Sequence, residues 1–205
     1  MSAALALSRL IDAVNEKLGK VVAWAVVVAV LVSSGNAVAR RVFGTSSNAW
    51  LELQWYLFGA VFMLAAAWTL RNNEHIRIDI VSSRLSKRGR NRIDVLGHVL
   101  FLMPFVALMI YLAVPFVTNS VSSGEMSPNP GGLPIWPAKA LVLAGFVTLA
   151  LQALSELIKR IAIMRGLIEE TEIAAHGAEA EAERLLQELA SPEGTAVVDR
   201  PSDHR

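Results

Sequence analysis

Cysteine is absent from the 205 residues, which excludes disulfides, thiolate metal sites and thiol nucleophiles. Charge is scarce as well. Asp, Glu, Lys and Arg make up 18% of the chain, against about 25% in soluble domains, and they are crowded into a few segments. The net charge of +1 averages a basic middle and an acidic tail, so no nucleic-acid partner is implied. No Ser/His/Asp set, paired-carboxylate arrangement or phosphate-binding glycine loop is present. The glycine pair Gly131-Gly132 sits in a proline-rich stretch with no phosphate motif after it. The chain is therefore not expected to be an enzyme.

Apolar residues, by contrast, are plentiful at 54%. They come in runs of about twenty, the helical length that crosses a hydrocarbon core of about 30 Å. Four spans are expected, at about 21–42, 49–70, 93–118 and 138–158, forming an all-α transmembrane domain over 21–165. Residues 1–20 read as an amphipathic helix, with Leu7, Leu10, Ile11, Val14 and Leu18 recurring at three- and four-residue spacing. Such a stripe can lie at the interface, pack on a partner helix or lead into the first span. Residues 166–205 form an acidic, partly disordered tail. Ala37-Val38-Ala39 fits a leader-cleavage site, but that leader would be long and acidic, and Arg40-Arg41 follows it. An uncleaved anchor is the better reading.

Arginine and lysine set the orientation. One side holds Arg9, Lys17 and Lys20, the basic run from Arg71 to Arg92, and Lys159, Arg160 and Arg165. The other has only Arg40, Arg41 and Lys139. Both termini are thus expected in the cytoplasm, with the Gly/Ser/Pro-rich segment 119–137 outside as an irregular loop. Pro104 is expected to kink the third span.

Carboxylates in a membrane are candidate functional groups because they are costly to bury. Glu52, Trp55, Tyr56 and Gly59 fall on one face of the second span, a mixture suited to contact with another protein. Where that span re-enters the cytoplasm, His75, Arg77 and Asp79 alternate with isoleucines. A metal role for His75 has only Glu74 and Asp79 to draw on. His75 and His98 lie near the same ends of adjacent helices, which also permits a bis-histidine haem, as in the haem- or quinone-binding membrane anchor of a redox complex. Asp94, one turn before His98, can instead satisfy that ring by a hydrogen bond. Glu156 is placed to pair with Arg160, an anchoring pattern. Nothing resembles the broken helices that bind solutes in secondary transporters, so transport would require a companion.

The segments Ser47-Asn-Ala-Trp-Leu-Glu-Leu-Gln-Trp-Tyr56, Gly59-Ala60 and Asn73-Glu-His-Ile-Arg-Ile-Asp79 resemble the small membrane subunit (the Q component, DctQ-like) of tripartite ATP-independent periplasmic (TRAP) transporters. Ser123-Gly-Glu-Met-Ser127 and Gly131-Gly-Leu-Pro-Ile-Trp-Pro137 add to the resemblance, which spans about 10–165. It implies a multi-pass protein of the bacterial inner membrane. A large elevator-type permease subunit would hold the sodium and substrate sites, so this chain carries no cofactor of its own. A periplasmic binding protein would deliver an organic acid. Glu52, Trp55, Tyr56, Gly59, His75, Arg77 and Asp79 become candidate subunit contacts, and Glu125 and Trp136 candidates for docking the binding protein.

Overall fold

Helix is the only regular backbone that satisfies its own polar groups in lipid without closing into a barrel. The apolar runs accordingly fold into four long rods in the computed structural model, which describes residues 2–44, 47–72 and 87–168. The first rod is α1 (Ser2–Phe43) and the second α2 (Asn48–Arg71). The third joins α3 (Lys87–Gly97) through a π turn at His98–Leu102 to α4 (Met103–Ser122). The fourth is α5 (Trp136–Met164). All four are long and apolar enough to cross a membrane. Among the described residues the only β feature is an isolated bridge between Met126 and Pro134.

Residues 2–20 and the first span form one unbroken helix, roughly 63 Å long at about 1.5 Å per residue. In the third rod the expected disturbance takes the form of a widened turn. Pro104 lacks an N–H and crowds the carbonyl four residues earlier, that of Leu100, which lies within the π turn. Such turns absorb a break in the hydrogen-bond ladder. Pro115 does not end this rod, and α4 runs on to Ser122.

Missing side chains let the rods approach closely. A methyl group added at Gly19 would lie 2.8 Å from the Trp68 ring, and one at Gly145 would lie 2.7 Å from Met63 Cβ. The first contact joins α1 and α2 as an antiparallel hairpin, and the second sets α5 parallel to α2. Helix α5 also packs on α1 and on α4, so it stands at the centre, and the third rod leans chiefly on it.

The loop between α4 and α5 contains no helix or strand, as expected, yet its own hydrogen bonds fix its course. Gly124, at φ +61°, closes α4 with paired bonds from its own N–H to Val121 O (3.2 Å) and from Glu125 N–H to Ser120 O (3.1 Å). This αL ending favours glycine. The loop then folds back on itself, with Ser127 N–H on Leu133 O and Ile135 N–H on Glu125 O, both at 3.0 Å.

Candidate functional site

The long-range side-chain hydrogen bonds and ion pairs of the described residues gather in two belts, one at each end of the bundle. At the loop end, Asn48, Glu52 and Tyr56 stand at i, i+4 and i+8, on one face of α2. All three hold the same loop. Asn48 Nδ2 donates to Pro130 O (2.9 Å) and Tyr56 Oη to Pro134 O (2.5 Å). The Glu52 carboxylate accepts from Leu133 N–H (2.6 Å), from Asn129 Nδ2 (2.9 Å) and from the Ser127 hydroxyl. Glu52 is 2% exposed. A carboxylate supplied with this many donors is stabilised in its charged form at a depth where an unpaired charge would be costly. Gly132 has to lack a side chain here, because a methyl group would lie 2.6 Å from Ser127 Cβ and 2.7 Å from Glu52 Oε1.

Beside this clamp, Lys139 of α5 reaches back to Glu125 (2.5 Å) and lies 4.2 Å above the Phe116 ring of α4. The Lys139 hydrogen bond is the main reason why the Glu125 carboxyl titrates below its ordinary value of 4.5. Trp136 is about half exposed next to it.

The other belt ties α1 to α5. Gln152 is fully buried; it accepts from Asn15 Nδ2 (2.7 Å) and its Nε2 donates to Asp12 (2.8 Å) and Glu156 (3.1 Å). The Ser155 hydroxyl donates to Asp12 (2.7 Å), with the Ser8 hydroxyl 2.7 Å away. Lys159 bridges Asp12 (3.1 Å) and Glu156. Around them Arg71 joins Glu16 (3.0 Å), Lys20 joins Glu16 (2.8 Å) and Arg160 joins Asp94 (3.3 Å). Each buried polar group needs a partner, and here the partners come from four different helices.

Several expectations are revised by this geometry. Glu156 pairs with Lys159, whereas Arg160 reaches across to Asp94. His98 Nδ1 bonds the Asp94 backbone carbonyl (2.8 Å) rather than the carboxylate, because the guanidinium is the stronger partner for that charge. Glu52 and Tyr56 turn inward onto the chain's own loop. Trp55 and Gly59 stay on the outward side, where Trp55 is half exposed and Gly59 has no described residue near the position of a Cβ. His75, Arg77 and Asp79 lie outside the described residues, and with them the proposed pairing of His75 with His98. The α1–α5 lock was missed from sequence. Its trace is the seven-residue spacing of Ser8, Asn15, Val22 and Ala29, all buried.

A family model described as "Tripartite ATP-independent periplasmic transporters, DctQ component" matches residues 29–162, from midway along α1 almost to the end of α5. The chain belongs to the DctQ family. No curated relative and no solved structure matches it. DctQ is a component of a transporter rather than an enzyme family, and with four helices able to span the bilayer this DctQ protein is a multi-pass membrane protein. Both halves of the loop-end clamp, α2 and the loop it grips, lie inside the matched residues. Residues 2–28 of α1 precede them.

Proposed function

We propose that this DctQ protein is the fixed scaffold of a TRAP transporter in the bacterial inner membrane, with both termini in the cytoplasm. It would brace a large elevator-type permease subunit that holds the sodium and substrate sites. A periplasmic binding protein would deliver an organic acid to the complex. The observation that carries this reading is the family match on a bundle in which most of the described buried charges and polar side chains are taken up by internal locks at its two ends. A scaffold needs stiffness, and two hydrogen-bonded belts about 29 Å apart, counted from Glu52 to Arg71 along α2, supply it on either side of an apolar layer. The cation distribution supports the orientation, with the loop gripped by Glu52 on the periplasmic side. There Glu125 and Trp136 are available to the binding protein. Trp55 and Gly59 offer an outward face for the large subunit, and His75, Arg77 and Asp79 remain candidates beside them.

Co-purification tests the proposal. The tagged chain, extracted in a mild detergent from cells expressing its whole transport system, should bring down a large multi-span permease. Recovery of the chain alone would overturn the reading.

A further inference from the structure

Helix α1 carries a second seam that no other described residue covers. Leu7, Val14, Val21, Val28, Gly35 and Val42 follow at intervals of seven, and Leu10, Lys17, Trp24, Leu31 and Val38 interleave with them. Every one of these positions is exposed, Trp24 at 71%. The alternating three- and four-residue steps persist through five heptads. A strict seven-residue repeat of this length keeps one stripe turned towards a neighbouring helix in a left-handed supercoil. The opposite side of α1, with Ser8, Asn15, Val22 and Ala29, is already buried within the chain.

Lipid does not account for the whole stripe. The ion pair of Glu16 with Arg71 marks the terminal edge of the apolar layer. Leu7 lies nine residues before Glu16, about 13 Å further along the helix, so the stripe continues past the hydrocarbon into the polar phase. Whatever covers it must therefore run from the bilayer out beyond the membrane surface.

Lys17 argues against a second copy as that cover. Two copies inserted in the same orientation would pack the seam in parallel and set Lys17 against Lys17, a like-charge contact at a seam position. A different chain with a carboxylate at that level would be favoured instead. Gly35 points the same way, since no described residue lies within 4 Å of where its Cβ would stand. Glycine inside a helix weakens it, so its gain is expected outside the chain, as a notch for a bulky side chain.

We infer that the outer seam of α1 is the docking face for one long helix of the large membrane subunit, which bears an acidic residue opposite Lys17. The inference rests on the scaffold reading above, and Leu7 to Val21 lie outside the residues matched to the family.

The absence of native cysteine makes single-cysteine crosslinking direct. Leu10→Cys, Trp24→Cys and Leu31→Cys, with Val30→Cys as an exposed control on the other side of α1, are labelled with a maleimide photocrosslinker. The labelling is done in membranes containing the large subunit. Adducts with the large subunit at the three seam positions and not at Val30 are expected. Adducts with the large subunit in equal yield at all four positions, or adducts of twice the chain's own mass, would overturn the seam assignment. So would no adduct in a sample that still co-purifies with the large subunit, which leaves the scaffold reading standing. Failure of the unaltered chain to co-purify would instead remove the scaffold reading itself. Lys17→Glu should lower co-purification about tenfold or more while Lys17→Arg preserves it, and equal recovery of the two variants would refute the acidic partner.

Discussion

Asn15 of α1 and Gln152 of α5 are joined by a hydrogen bond of 2.7 Å in a region closed to solvent. Through Gln152 the contact reaches Asp12 and Glu156 as well, so one side chain couples the first and last rods of the bundle.

Gln152→Ala should destabilise the protein by about 1–3 kcal/mol, because it strips a partner from buried groups that cannot turn to water. The measurement is the unfolding midpoint in detergent, followed by tryptophan fluorescence. Gln152→Ala should lower it clearly. Thr148→Ala, which removes a bond only to a carbonyl of its own helix, should lower it much less.

Gly132→Ala should loosen the loop held by α2, since the new methyl group would collide with Ser127 and the Glu52 carboxylate. Gly59→Ala serves as the contrast: it meets none of the described residues and should leave the isolated protein as stable or slightly more so. Limited proteolysis of the loop checks the pair, with faster cleavage expected for Gly132→Ala alone.

Acid should release the link between Glu125 and Lys139 late. The folded-state pKa of Glu125 is depressed, chiefly by its hydrogen bond from Lys139. Its contribution is therefore fully present above the ordinary value of 4.5 and is lost as pH falls through the lower folded value. Loop protection against proteolysis should not change between pH 7 and 5 on this account and should weaken only in stronger acid. Glu125→Gln should show the weakened protection already at pH 7.

Removal of residues 169–205 should leave assembly and transport intact, because the family match ends at 162 and the tail is too sparse in apolar residues to form a core. An uptake assay with the truncated chain decides the matter.

The four rods were legible because a membrane span is a one-dimensional signal: a run of apolar residues of sufficient length declares itself without knowledge of neighbours. The αL ending at Gly124 and the Asn48/Glu52/Tyr56 clamp were not. Glu52 shares a helical neighbourhood with both Trp55 and Tyr56, and sequence spacing does not say which side faces the loop. The terminal belt was harder still. In a soluble protein the stripe of Leu7, Leu10 and Val14 would be the buried one. Here these three residues are exposed while Ser8 and Asn15 are buried, because Ser155 and Gln152 of α5 offer those two polar groups partners inside the bundle.

The central place of α5 has a consequence for biogenesis. It is the last of the rods to leave the ribosome, yet the third rod leans chiefly on it. The hairpin of α1 and α2 can close as soon as both are inserted, whereas the rod that follows has to wait in the bilayer until translation is nearly complete. A product that stops before Trp136 would leave that rod without its main neighbour, and quality-control proteases would meet it as an orphan.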